Sequence, residues 1–428
     1  METDEFREPL HSIELISPCA VAIELDGKLE IVADDKVVGD VFAHGEVPVI
    51  PDTVEKAKST LDKVLVDFKF VSTGDKSRAY ASLITPALVM GGLLKGRATI
   101  DLTEANESQA GKGYRHKLIT AIYKQKTAVV NFGQSGLGSA ERSVDSALVS
   151  GCRSILLDNV RGKIASQKIE SLITEDGYSA TVPHSPDVTI DPTRIVVSMT
   201  TNEASLNRDL ANRAAAVRIK KQKKDYEYAT YPEGDILEHV RANQPEFHGA
   251  VLCIVQEWFN TGCQVDTKAM HEHDFSRWAG VMNHVVTKIL GEPDMFKGYA
   301  DVRKMLHNPR QSWMREVARV LLMEKTSTDP MQTSELLKEL EEAGREDLIP
   351  SLKDYETLEM GNCARKSSTL AGRRLSVLFR DTDEISIEGV SIKRTIETKP
   401  RIGIDAEGKQ FNKGDRETPC YSFELVKD

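Results

Sequence analysis

Residues 106–113 read Asn-Glu-Ser-Gln-Ala-Gly-Lys-Gly, between a β-branched apolar run (ATIDLTEA) and a stretch with helical apolar spacing (YRHKLITAIYK). A tight turn from a buried strand into a helix aims backbone N–H groups and the positive end of the helix dipole at one point, which is the chemistry of holding a phosphate. The stretch departs twice from the usual G-x-x-x-x-G-K-[ST] spacing. Asn106 takes the place of the first glycine, and asparagine tolerates the positive φ such a turn requires. Gly111 and Lys112 are in register, but Gly113 replaces the hydroxyl residue that ordinarily coordinates Mg²⁺. Alone, an incidental Gly-Lys-Gly between a strand and a helix reads the same way.

Three further segments carry polar groups at the ends of apolar runs. In CRSILLDNV the apolar run ends at Asp158, placing a carboxylate at the C-terminal edge of a strand, where it can hold magnesium or its water. The next residue, ordinarily acidic, is Asn159, which can orient a water but cannot accept its proton. RIVVSMTTN ends in Asn202, a polar group able to contact a γ-phosphate or an attacking water. LNRDLANRAAAVRI places Arg208 and Arg213 just before another strand, where an arginine could reach a neighbouring subunit's nucleotide or serve as an ordinary ion-pair partner. In MHEHDF, His271 and His273 are two apart, whereas metal ligands on one helix face stand four apart. That segment reads as a loop entering the helix DFSRWAGVM, with Asp274 as its cap.

The elements that must position these groups alternate. Residues 98–224 contain five strand-like runs (ATIDLTEA, TAVVNFG, CRSILLDNV, TRIVVSMTTN, AAAVRIK) separated by helical segments, the signature of an α/β fold with a five-stranded parallel sheet. GYSATVPHSPDVTIDP alternates on either side of His184 and predicts a hairpin inserted before the fourth strand. Residues 1–50 form a small β-rich unit with a hairpin signal at Asp26-Gly27, and 51–97 a helical approach whose first helix opens with an Asp cap. Residues 225–305 are helical, as a lid over the core, and 306–428 run helix, helix, basic helix and two terminal strands, the order of a winged-helix unit.

Of the 428 residues, 40% are apolar and 29% charged, ordinary for a globular protein and enough to build several structural units. The start of the chain lacks an apolar signal core and no run of 18 apolar residues occurs, so a cytosolic protein is expected. The six cysteines form no C-x-x-C pair, which favours reduced thiols over disulfides or zinc. A net charge of −10 excludes a uniformly basic nucleic-acid binder but not a local basic groove. Basic residues gather at RIKKQKK (218–224), either a groove or a solvated face, and in ARKSSTLAGRR, with Arg373 and Arg374, in the last quarter.

The pieces in their order, above all SAERSVDSALVSGCRSILLDNVRGKIASQKIESLIT followed by RIVVSMTTNEASLNRDLANRAAAVRI, resemble the AAA+ ATPases of helicase type encoded by phages and integrative mobile elements. That group is related to superfamily-three and minichromosome-maintenance helicases, and the resemblance covers about residues 49–290. It implies an AAA+-like core that binds ATP and Mg²⁺ and acts as a replicative helicase-type motor, a ring of subunits, most simply a hexamer. By position, Asn106, Gly111, Lys112 and Gly113 form the phosphate loop, Lys112 meets the β- and γ-phosphates and Asp158 the magnesium. Asn202 is sensor 1, Arg213 the arginine finger with Arg208 in reserve, and Asn131 the polar switch ending the second strand. His184, at the hairpin tip, is either a DNA contact or a solvent-exposed turn residue. The resemblance also implies single-stranded and duplex DNA as partners, the latter met by Arg373 and Arg374, a primase or polymerase, and room for a primase-like domain before the start. Gly113 and Asn159 depart from the family's pattern, which keeps a second function class open: a hydrolysis-poor, nucleotide-binding DNA initiator or scaffold.

Overall fold

The computed structural model describes residues 13–426 apart from 106–108, 132–136, 161–162, 165, 183–185, 202–204, 207, 308, 351–366, 381, 388–389 and 405–409. The chain divides into two compact units, Met1–His307 and Asn308–Asp428.

The first unit opens with short strands β1 (Leu15–Ser17), β2 (Val21–Leu25), β3 (Lys28–Val32), β4 (Lys36–Val38) and β5 (Val41–Ala43), which form one three-stranded sheet, β1-β5-β4, and the hairpin β2-β3. Asp26 and Gly27 turn that hairpin with φ of 51° and 73°. Both values are positive, as a two-residue turn matched to the strand twist demands. Leu15, Val21, Val41 and Ala43 are buried in the same apolar cluster as the rest of the unit, so these strands are part of its core.

Helix α1 (Val54–Leu65) starts one residue later than the Asp cap expected from the sequence. Its cap is Thr53, whose hydroxyl accepts from Lys56 N at 3.3 Å, while Asp52 lies outside the helix and pairs with the Lys56 ammonium at 2.7 Å. The cap belongs to the residue whose side chain reaches the third helical N–H, and Asp52 is one step too far out. A two-residue strand, β6 (Lys69–Phe70), leads to α2 (Thr73–Met90), in which every residue except Thr73 and Lys76 is buried. A helix enclosed on all faces needs no amphipathic stripe. At its end, a Cβ on Gly91 would stand 1.8 Å from the Ala22 carbonyl oxygen, so only glycine lets β2 lie against the helix terminus.

Next come β7 (Ile100–Glu104), α3 (Lys112–Ile122), β8 (Thr127–Asn131), α4 (Leu137–Val149), β9 (Ser154–Val160), β10 (Lys163–Ile164), α5 (Gln167–Thr174), β11 (Tyr178–Ala180), β12 (Val188–Ile190), β13 (Val196–Thr201), β14 (Ser205–Leu206), α6 (Arg208–Asn212) and β15 (Ala214–Lys220). The main sheet has six strands rather than the expected five, in the order β6-β15-β7-β13-β9-β8. Five are mutually parallel, and β6 pairs antiparallel with the end of β15. Two residues give no periodicity to read, which is why β6 is hidden in the sequence. The predicted hairpin is present, with β11 and β12 antiparallel. Because β13 lies between β7 and β9, the loop after β7 opens beside the ends of β13 and β9, the crevice at the carboxyl ends of the strands where open α/β sheets take ligands.

The unit closes with α7 (Ile236–Ala242), α8 (Gln244–Asn260), α9 (Ser276–His284), a π-helical turn (Val285–Ile289) and α10 (Tyr299–His307). The second unit contains α11 (Pro309–Leu321), β16 (Met331–Gln332), α12 (Thr333–Glu342), α13 (Ser367–Leu378), β17 (Glu384–Ile387), β18 (Val390–Ile404) and β19 (Gln410–Leu425). Its antiparallel sheet runs β16-β19-β18-β17 over a core of its own, built on Met314, Leu336, Leu340, Leu375, Phe379 and Phe423. Among the described residues no helix is long and apolar enough to cross a membrane.

Candidate functional site

The buried strand β7, with Ile100 and Leu102 fully enclosed, delivers the chain to the turn before α3. Asn106 lies outside the described residues. Gln109 has φ 63° and Gly111, the N-cap of α3, φ 94°. Glycine at 111 serves conformation and space together, since a Cβ there would stand 3.3 Å from the Phe68 ring. Among the described residues no side chain caps this helix, whose N-cap is a glycine, so the terminus presents backbone N–H groups rather than a built-in acceptor. Lys112 is the first helical residue. At Gly113 an added Cβ meets nothing within 4 Å, so packing does not demand glycine at this position.

The first turns of α3 are fixed from behind. Arg115, 2% exposed, grips Asp101 on β7 with two nitrogens at 2.9 and 3.0 Å and donates to the Thr103 hydroxyl at 2.7 Å. The bidentate geometry ties helix to strand, so the loop between them is held at both ends. On the other side, Tyr114 Oη accepts from Leu237 N at 3.2 Å and is hydrogen-bonded to Asp235, the N-cap of α7. Burial first, and then the Asp235 carboxylate, push the Tyr114 phenol up to about 12.

Asp158 lies on β9 opposite Asn131, the last residue of β8, whose side chain falls outside the described atoms. Between Met199 and Thr201 the pairing of β13 with β9 shifts register, so Asp158 and Asn159 together face the single residue Thr200. This is a β-bulge, and Asn159 takes φ 52° within it. The Thr200 hydroxyl, 2% exposed as a residue, sits inside the bulge, donating to Asp158 Oδ1 at 2.6 Å and accepting from Asn159 N at 2.8 Å. Asn159 is thus suited to its place by backbone: asparagine is among the few residues that enter the left-handed region readily.

Arg213 stands at the other edge of the sheet. Its carbonyl oxygen accepts from Ile100 N at 3.1 Å and from Thr99 Oγ1 at 2.7 Å, beside the beginning of β7 rather than its end. With five residues in β7 at about 3.3 Å each, Arg213 lies roughly 13 Å or more along the strand from the phosphate loop. The residue is half-buried, and its guanidinium has no partner among the described residues. Arg208 begins α6, with its side chain outside the described atoms, and Asn202 and His184 are outside the described residues altogether.

Several residues that the sequence did not single out organise the surroundings. Asp75 is fully buried between Arg78, at 2.6 Å, and Arg218, at 3.0 Å. Burial alone would raise its carboxyl, but Arg78 and Arg218 outweigh that and hold it below the ordinary value. Arg218, the first residue of the basic run 218–224, is therefore an internal ion-pair partner. The hairpin β11-β12 is anchored by Tyr178, which donates to Asp145 of α4 at 2.5 Å, and Asp145 also pairs with Lys168 of α5. Asp274 is not the cap: α9 begins at Ser276 with Phe275 in the N-cap position and no side-chain cap, and Phe275 N instead donates to His273 Nδ1 at 3.1 Å. His273 is buried, its pKa pushed down to about 4 by burial, and among the described residues no group of three ligating side chains could hold a metal.

On α13, Arg373 is exposed while Arg374 is buried, its guanidinium 5.4 Å from the centre of the Trp313 ring. Consecutive helical residues point about 100° apart, so one of the pair is covered while the other faces solvent. Arg374, expected as a second DNA contact, is thus largely covered, and Arg373 is the exposed one of the pair.

No protein-family model matches the sequence, and no curated protein matches it. Among solved structures, one described as the apo A form of the NrS-1 C-terminal region is similar over 97% of this chain and 96% of its own, at 11% identity and a TM-score of 0.36. Another, described as the active helicase Cch of SCCmec type IV, is similar over 82% of this chain and 78% of its own, at 11% identity and a TM-score of 0.35. Overlaps of this size do not establish a shared fold.

Proposed function

We propose that the chain is an ATP-dependent, DNA-directed motor of helicase type that works as a ring, most simply of six copies, with nucleotide held between subunits. The observation that carries the reading is the division of polar groups between the sheet's two edges. Lys112 and Asp158 share the carboxyl edge, and Arg213 lies at the far edge, its guanidinium without a partner among the described residues. An arginine so placed is out of reach of its own loop and suited to a neighbour's.

The residues present fit a nucleoside triphosphate with its divalent cation. Gly111 in the left-handed region, the helix terminus without a side-chain cap and the ammonium of Lys112 suit phosphate oxygens. The Asp158 carboxylate, a hard oxygen donor, suits Mg²⁺. When bound, that ion neutralises charge on the phosphates. In this reading Asn202 orients the water near the γ-phosphate, Asn131 lies beside Asp158, and Arg213 of one copy steadies the charge on the phosphoryl group bound by the next, with Arg208 in reserve. The hairpin β11-β12, with His184 near its tip, grips the backbone of single-stranded DNA. The second unit docks duplex DNA through α13 as a winged helix, with Arg373 as the facing basic residue.

Gly113 and Asn159 favour a second reading, in which nucleotide binding controls assembly of a DNA-bound scaffold without turnover. The two separate in one experiment: ATP hydrolysis with and without single-stranded DNA, for the wild type and Lys112→Ala. Turnover stimulated by DNA and reduced at least about a hundredfold in the variant is expected. Hydrolysis no greater than that of Lys112→Ala, with ATP and DNA still bound, would leave the scaffold.

A further inference from the structure

We infer that Thr200 is a positioning residue for the metal–nucleotide site: locked in the β-bulge, its hydroxyl fixes the orientation of the Asp158 carboxylate. This rests on the nucleotide-binding reading given above and adds a residue to it that no motif marks.

A hydroxyl can rotate, and a freely rotating one orients nothing. Here both of its directions are used. Asn159 N–H, held in place by the bulge, donates to Thr200 Oγ1 at 2.8 Å, which leaves the hydroxyl proton to point at Asp158 Oδ1, 2.6 Å away. Oδ1 is thereby engaged, while Oδ2 accepts no hydrogen bond from any described residue and Asp158 is half-exposed. A carboxylate with one oxygen tethered inside the sheet and the other without a donor among the described residues is set to offer that second oxygen to a cation.

The arrangement acquires its importance from Gly113. The loop lacks the hydroxyl that would otherwise share the metal, although the space beside Gly113 is open. With that ligand missing, the orientation of Asp158 carries more of the metal affinity. Partners that orient a metal ligand typically contribute about 10- to 100-fold to metal affinity. The bulge also accounts for the asparagine that follows Asp158: its left-handed backbone turns the N–H inward to Thr200.

The test is a Mg²⁺ titration of fluorescent ADP binding to the full chain, with Mn²⁺ binding in the presence of ADP followed by electron paramagnetic resonance, for wild type, Thr200→Val, Thr200→Ala and Thr200→Ser. Removing the hydroxyl should raise the Mg²⁺ concentration for half-maximal binding about tenfold or more, with ADP binding in EDTA unchanged. Thr200→Ser, which keeps the hydroxyl, should stay within about threefold of the wild type. Valine preserves the shape of the strand and alanine relieves it, so whichever variant folds reports the loss. A wild-type Mg²⁺ dependence in a folded Thr200→Val or Thr200→Ala chain would overturn the assignment of Thr200 alone. If the wild type binds ADP with no response to Mg²⁺ at all, the nucleotide–metal reading falls and Thr200 with it.

Discussion

The two edges of the parallel sheet are built on opposite principles. At the carboxyl edge the chain spends its unusual conformations: Gln109, Gly111 and Asn159 all have positive φ, the start of α3 lacks a side-chain cap, and one strand bulges around a threonine. At the amino edge the exposed backbone is closed off. Ala214 O accepts from His273 Nε2 at 3.2 Å and from the Tyr299 hydroxyl, Thr99 covers Arg213 O, and the rings involved are buried. Arg213 is the charged group of that edge, and among the described residues its guanidinium has no partner. One edge is open around Lys112 and Asp158 and the other is sealed around its backbone groups, and in the function proposed above a second copy brings the two together.

That contrast can be broken most decisively at Arg213. Arg213→Ala should leave nucleotide binding nearly intact and lower turnover by about 10³-fold, the scale of an arginine acting on a neighbour's phosphates. Mixtures of Arg213→Ala with Lys112→Ala chains should recover part of the activity, because each supplies what the other lacks. Recovery absent from every mixing ratio would place Arg213 outside any shared site.

The sealed edge makes a claim about pH. His273 is neutral when folded, its pKa about 4 against an ordinary 6.5, and burial causes the difference. Between those values the unfolded chain binds more protons, so stability rises with pH. It is fully present above 6.5 and is lost as pH falls through about 4. His116 and His248 share the shift, with the same burial as its main cause. At pH 5 the stability lost through His273 alone is about 2 kcal/mol. Urea midpoints followed from pH 7.5 to 4.5 should therefore decline from below pH 6.5, and in His273→Leu the decline should be shallower. A flat wild-type profile would mean that the amino edge is open to water.

The smallest effect sharpens the account of the open edge. Asn159→Val places a β-branched residue at φ 52° and should cost about 1–2 kcal/mol of stability, whereas Asn159→Gly should stay within about 0.5 kcal/mol. Equal losses from both, by denaturant unfolding, would show that the side-chain amide rather than the backbone explains this asparagine.

Much of the open edge was legible because its parts are local. A buried run ending in Asp158 and a Gly-Lys pair before helical spacing are short-range patterns, and the strands that hold them are apolar enough to read directly. What escaped depends on neighbours distant in sequence. Thr200 looks like any strand threonine until β9 bulges against it, and Arg115 finds Asp101 only once α3 lies on β7. Arg373 and Arg374 are adjacent letters, and only the packing of Trp313 decides which is covered. The caps failed for a different reason: Asp52 and Thr53 are both good cap residues, and composition does not choose between neighbours.

The enclosure of α2 bears on how the first unit comes apart. This helix touches the N-terminal hairpin at Gly91 and Ala22, the sheet through Arg78 and the Ala216 carbonyl, and the closing helical segment through Trp278, whose indole donates to Thr85 at 3.0 Å. No one of those layers can leave without exposing a side of it to water. Residues 15–307 should therefore melt as a single cooperative body, with the sheet, its N-terminal strands and the helices after it lost in one transition.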